Sequence, residues 1–188
     1  MTKGLKPWRV LESKEVLDGR PRLIVANHTV ELPDGRRVED FWKIQMFDYV
    51  VVAAWDEADR LIVERQYKHG PERVCLTLVA GAIEAGEEPL AAAKRELLEE
   101  TGHQAPDWTG LGRYVVGANA GIGHAHFFKA RGARLVQPAN SGDLEEMRIE
   151  HLDRARVRQA LAEGEFAMVS CAATLALALL EGDRRGGD

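Results

Sequence analysis

The stretch PLAAAKRELLEET, residues 89–101, constrains this chain more than any other part of it. Both ends are marked: Pro89 suits the first helical position, and Gly102 suits the left-handed residue that closes a helix. The spacing predicts an α-helix anchored by the stripe Leu90, Ala93 and Leu97. On a wheel of about 100° per residue, Glu96, Glu99 and Glu100 share an arc of about 100°, and Glu87 lies just before the helix. Like charges four residues apart, such as Glu96 and Glu100, cost a helix a few tenths of a kcal/mol. Folding alone therefore gives no reason to stack them. One reading is a solvated acidic face beside Lys94 and Arg95. The other is a site for a hard divalent cation, which takes oxygen ligands and supplies the compensating charge.

Short β-rich runs surround this helix. Residues 21–47 read as a hairpin, with Leu23, Val25 and Val30 to Leu32 before the turn Pro33-Asp34-Gly35 and Val38 to Met46 after it. A second hairpin is expected at 49–55 and 61–67, and a third β-rich run at 75–80 leads into the glycine loop GAIEAGE. Further strands are expected at 111–116, 124–130 and 147–152, with helices at 153–162 and 169–181. The last helix and the residues Trp8, Trp55 and Trp108 read as packing elements. Strands and helices mixed in this way imply an α+β fold, in the form of an α/β/α sandwich. A chain of 188 residues is long enough for one core that buries roughly 70% of its unfolded surface.

Charge narrows the partners. Thirty acidic and 25 basic side chains are interspersed, for a net charge of −5, and no basic block offers a footprint for nucleic acid or an anionic membrane. Cys75 and Cys171 lie in apolar runs, which suits buried thiols in a reducing compartment. MTKGLKPWRV has no apolar leader, and Cys171 to Leu180 is too short to span a bilayer. The expectation is a soluble, cytoplasmic globular protein.

The full stretch GAIEAGEEPLAAAKRELLEETGH, residues 81–103, resembles the Nudix box, G-x5-E-x7-R-E-U-x-E-E-x-G-U, where U is a bulky aliphatic residue. Gly81, Glu87, Arg95, Glu96, Leu97, Glu99, Glu100 and Gly102 match, and His103 departs at the final U. Fixed letters at about 7% usage each would coincide by chance roughly once in 10⁸ windows. The leading hairpin, RQYKHG (65–70) and the helical C-terminus look like the ADP-ribose pyrophosphatase branch, in which N-terminal strands are exchanged across a homodimer. The resemblance implies a Nudix-type α/β/α sandwich with a mixed sheet, plus an N-terminal antiparallel β unit. The implied boundaries are 1–46 for that unit, 47–182 for the hydrolase domain and 183–188 for a tail.

The resemblance also implies a chemistry: cleavage of a nucleoside diphosphate linked to another moiety, with Mg²⁺ or Mn²⁺. Carried over by position, Glu96 and Glu100 are metal ligands, Glu99 is a further or water-mediated ligand, and the carbonyl of Ala80 is a backbone ligand. Arg95 becomes an orienter of box carboxylates, with Glu87 its first partner. Gly81 allows close backbone approach. A general base is expected from 141–152, with Glu145 the first choice and Glu146 the second. Phe41 and Trp42 are candidate plates for a nucleobase, Arg65 and Lys68 candidate phosphate or ribose contacts, and His124 a structural or substrate-bonding residue. The branch usually places a proline about 15 residues past the box, where this chain has Gly117-Ala118-Asn119. Thr77 and Val79 stand where many of its members carry Glu and Pro. ADP-ribose, giving AMP and ribose 5-phosphate, is the first expected substrate, ahead of other nucleotide sugars, oxidised nucleotides and a non-catalytic nucleotide-binding role.

Overall fold

A computed structural model describes residues 4–142 and 146–184. The chain divides into two compact units, one of Met1–Asp48 with Tyr114–His124, the other of Tyr49–Arg113 with Ala125–Asp188. The sequence boundaries left 114–124 wholly inside the second.

The first unit holds β1 (Arg9–Gly19), β2 (Leu23–Glu31) and β3 (Arg37–Met46), an antiparallel sheet in the order β1-β2-β3. The expected hairpin is β2 and β3, closed by a turn in which the Gly35 N–H donates to the Leu32 carbonyl at 2.9 Å. Strand β1 went unanticipated. The glycine-rich segment after 116 is held along β3, where the N–H groups of Ile44 and Met46 donate to the carbonyls of Ala120 and Ile122 at 3.1 and 2.8 Å.

The second unit is built on β4 (Tyr49–Asp56), β5 (Leu61–Lys68), β6 (Arg73–Thr77), β7 (Val79–Ala82) and α1 (Pro89–Thr101). After these come β8 (His103–Gln104), β9 (Asp107–Val116), β10 (Gly123–Leu135), β11 (Met147–Leu152), α2 (Arg154–Ala162) and α3 (Val169–Arg184). The β-rich run at 75–80 is thus split into β6, which pairs with β5, and β7, which pairs with β4. The main path is β11-β5-β4-β10-β8. It is mixed, because β10 runs parallel to β4 while β11 and β5 are antiparallel.

Strand β4 carries the core. Val50, Val52 and Ala54 pack with Ala92, Ala93 and Leu97 of α1 on one face. Alternation of side chains along a strand turns Val51, Ala53 and Trp55 to the opposite face, and α3 packs there, burying Cys171, Leu175 and Ala178. With helices on both faces, the sheet is the middle layer of an α/β/α sandwich. Trp55 and both cysteines are buried, and the thiols are free. Trp108 is partly buried and donates to the Ala105 carbonyl at 2.9 Å. Trp8 corrects the expectation of a packing residue: it is half exposed and touches Phe41 edge-on, with 5.5 Å between ring centroids.

The ends of α1 fall where the sequence put them. Pro89 opens the helix, and Gly102, at φ 72°, donates its N–H to the Leu98 carbonyl at 2.8 Å. A Cβ on Gly102 would lie 2.0 Å from the Gln137 carbonyl oxygen, so both the left-handed backbone and the space select glycine.

Candidate active site

The acidic arc of α1 lies against β7, the strand that ends at the glycine loop. Gly81 makes that approach possible, since a Cβ there would come within 2.0 Å of the Glu96 carboxyl carbon. One turn on, the Glu100 carboxylate accepts the Ala80 N–H at 3.1 Å. In an extended strand a residue's N–H and C=O point to the same side, so the Ala80 carbonyl faces the box helix as well. Glu96, Glu100 and the Ala80 backbone are therefore gathered in one place by the helix register and by a missing side chain.

Arg95 wires the outer half of the arc. Its Nε and Nη2 donate to the two oxygens of Glu87, each at 2.9 Å. Nη1 reaches Glu96 at 2.7 Å and Glu99 at 3.1 Å, and Nη2 also donates to the Ala82 carbonyl at 3.0 Å. A planar guanidinium with five donors is suited to such a fork. Its bond to Glu87 holds that carboxyl below the usual carboxylate range, with the Glu84 N–H assisting. The same partners raise the already high pKa of Arg95, the bond to Glu87 most of all.

The inner half behaves in the opposite way. Glu100 is buried, and burial followed by the nearby charges of Glu64 and Glu96 pushes its carboxyl up to about 10. Glu64, a buried residue of β5, was missed in the sequence. Its Oε2 accepts from Gln66 Nε2 at 2.9 Å and from Thr77 Oγ1 at 3.0 Å. A signal was there to read: Glu64 directly follows the apolar run Leu61, Ile62 and Val63, all three of them buried.

A divalent cation fits this set on chemical grounds. The donors are carboxylate and carbonyl oxygens, which Mg²⁺ and Mn²⁺ prefer, and Glu100 sits where bringing in positive charge would relieve its crowding. Among the described residues, no group of three or more His, Cys, Asp or Glu is drawn up in ready-made metal geometry. Arg95 holds Glu96 and Glu99 instead.

The other residues singled out in the sequence are dispersed. Arg65 is bound bidentately by Glu150 at 2.6 and 3.1 Å and also approaches Glu165 at 3.7 Å, so its guanidinium is already engaged by carboxylates. Lys68 is half-buried at the end of β5. In the first unit Trp42 is 53% exposed on β3, and Phe41 is half-buried beside Trp8. His124 is tied to Asp48, whose Oδ1 accepts its backbone N–H at 2.9 Å and lies 3.2 Å from Nδ1. Glu145 falls outside the described residues, and Glu146 is exposed just before β11.

Comparison with known proteins settles the family. The NUDIX domain matches residues 47–169, which is most of the chain. The chain belongs to the Nudix family. An ADP-ribose pyrophosphatase of Bacillus subtilis (strain 168) is 30% identical over 117 residues, covering 62% of this Nudix chain and 63% of that protein. The match thus spans less than two thirds of that relative's length. A methanol dehydrogenase activator of Bacillus methanolicus is 25% identical over 138 residues, 73% of this chain and 72% of that protein. The crystal structure of an ADP compounds hydrolase shares the fold, with a TM-score of 0.82 at 23% identity over 99% of each chain.

Proposed function

We propose that this Nudix protein is a divalent-metal-dependent pyrophosphatase that hydrolyses ADP-ribose to AMP and ribose 5-phosphate. The observation that carries the reading is the division of the box: Arg95 orders Glu87, Glu96 and Glu99, while Glu100 is buried against the Ala80 amide. Glu96, Glu100, Glu99 and the Ala80 carbonyl would hold Mg²⁺ or Mn²⁺. When bound, such an ion neutralises pyrophosphate oxygens and lowers the pKa of a coordinated water. The chain's own part is orientation. Arg95 keeps two box carboxylates on the β7 side, and Gly81 leaves the backbone open to close approach. Glu145 is the proposed base. Trp42, an exposed residue of β3, is the proposed stacking plate for the adenine, and Phe41, Lys68, Arg65 and His124 are secondary contacts.

ADP-ribose is favoured over other nucleotides by the relative of Bacillus subtilis that carries that activity in its name. A homodimer through the N-terminal sheet is favoured by the exposed Trp8, Val10, Leu11, Val16 and Leu17.

The test is product identity across ADP-ribose, other nucleotide sugars, dinucleotides and oxidised nucleotides, with Mg²⁺ or Mn²⁺. AMP and ribose 5-phosphate should appear from ADP-ribose fastest, and Glu100→Gln should lower that rate by about 10³-fold. A different winning nucleotide would move the specificity and leave the box chemistry standing. No hydrolysis by the wild type would discard the reading.

A further inference from the structure

Glu64 lies outside the box, on β5, in a run whose neighbours Leu61, Ile62 and Val63 are all buried. The ladder sets it directly opposite Thr77 on β6. Gln66 Nε2 bonds both the Glu64 carboxylate and the Thr77 hydroxyl at 2.9 Å, so the three side chains close a triangle. All three are at most 3% exposed. A buried carboxylate of this kind is unfavourable for folding, and an apolar residue would fill the place at lower cost. Its position accounts for its presence: Glu64 is bonded to Thr77, three residues before the Ala80 amide that holds Glu100, and its charge acts on the Glu100 carboxyl. Glu100 in turn is fixed to β7 through Ala80. Gln66 and Thr77 thus anchor Glu64 on the sheet, close to the segment that holds Glu100.

We infer that Glu64 is a positioning residue of the cation site, which braces Glu100 against β7 and adds negative charge that tightens a divalent ion. It rests on the reading of the box as a cation site. It extends that site beyond the box to a second strand, with Gln66 and Thr77 as its supports. Residues that hold a metal's ligands in place typically change its affinity by about 10- to 100-fold when lost.

The experiment measures Mn²⁺ binding to the full chain without substrate, by the paramagnetic resonance signal of free Mn²⁺, beside thermal melts with and without the ion. Glu64→Gln keeps the shape and removes the charge. It should weaken Mn²⁺ binding by at least about tenfold while raising the melting temperature of the metal-free protein, because one of the crowded carboxylates is gone. Thr77→Val, which only removes the hydroxyl that holds Glu64, should weaken binding by about two- to fivefold, and it decides the matter if Glu64→Gln fails to fold. Mn²⁺ affinity within twofold of wild type in both variants overturns the inference. So does a Glu64→Gln protein that is merely less stable, with unchanged affinity. If the wild type and Glu100→Gln both leave Mn²⁺ unbound, the cation reading itself falls and takes this inference with it. Tight wild-type binding beside indifferent Glu64 and Thr77 variants removes the inference alone.

Discussion

Strands β1 and β4 are each an unbroken run of extended chain, yet every residue from Arg9 to Asp18 is exposed and every residue from Val50 to Asp56 is buried. Two helices account for β4: α1 covers one face and α3 the other, so the strand needs apolar side chains on both. Strand β1 pairs with β2 and presents Val10, Leu11, Val16 and Leu17 to solvent, with register irregularities between Val10 and Glu12 and between Glu15 and Leu17. The same secondary structure is held by helices on both faces in one place and, among the described residues, by pairing along a single strand edge in the other. Substitutions should therefore weigh very differently in the two regions.

The largest effect is expected beneath β4. Leu97 is fully buried between the box helix and the sheet, beside Val50, Val52 and Val79. Leu97→Ala removes its side chain from a packed layer and should cost about 3 kcal/mol in urea unfolding. A loss below about 1 kcal/mol would mean that α1 is not pinned by Ala92, Ala93 and Leu97 (Leu90 of the expected stripe is exposed), and the contrast with β1 would shrink accordingly.

Next comes the guanidinium that wires the same helix. Arg95→Lys keeps the charge, but a single ammonium cannot span Glu87, Glu96, Glu99 and the Ala82 carbonyl as the fork does. Turnover should fall about 30-fold, or about 2 kcal/mol, with KM for the proposed substrate changed much less. An equal rise in KM with kcat intact would assign Arg95 to substrate binding instead of carboxylate orientation.

How far the sequence could be read follows the same contrast. Helix α1 was legible because Pro89, Gly102 and the glutamate spacing each carry a local reason, and β4 because an unbroken apolar run has few other homes. Strand β1 was not, since RVLESKEVLDG has neither a period-two alternation nor a buried face to impose one. The burial of Glu64 was legible from its apolar run, but its role was not. The role proposed for it depends on the ladder that sets it opposite Thr77 and on its nearness to Glu100, and no local pattern reports either. Thr77 occupies the place where the resembled branch carries Glu, and the adjoining strand delivers a carboxylate to the same hydroxyl. The pairing of Arg65 with Glu150 was not legible, because Glu150 lies 85 positions away in the chain.

A smaller effect sits at the far end of the box helix. His103 is buried, its ring 5.7 Å from that of His151, and Nδ1 lies 2.8 Å from the Thr101 carbonyl. Burial lowers its pKa below 6.5, the neighbouring His151 adds to that, and the Thr101 carbonyl and Asp56 pull the other way. With a folded pKa below the unfolded one, the stabilisation by the neutral ring is complete above about pH 6.5 and is lost as the pH falls through the lowered value. His103→Leu, which restores the aliphatic residue of the box pattern, should flatten that acid limb between about pH 7.5 and 5. An unchanged slope in chemical denaturation at the two pH values would place the acid sensitivity elsewhere, with the Asp56–His151 pair the next group to vary.

The smallest effect belongs to β1, and it separates two causes of that strand's exposure. If β1 is simply a solvated edge, Val16→Thr leaves both protomer stability and mass unchanged. If its apolar side chains form the proposed interface between two copies of the chain, the substitution still changes protomer stability by less than about 0.5 kcal/mol, because Val16 is already exposed within the protomer. It should then weaken association, so that sedimentation at micromolar concentration shows more monomer than the wild type does. The melting temperature of the wild type should also rise with protein concentration, as it does when folding is linked to assembly, and that of Val16→Thr should rise less. A wild type that sediments as a monomer at every concentration would leave β1 as an exposed strand stabilised by β2 alone.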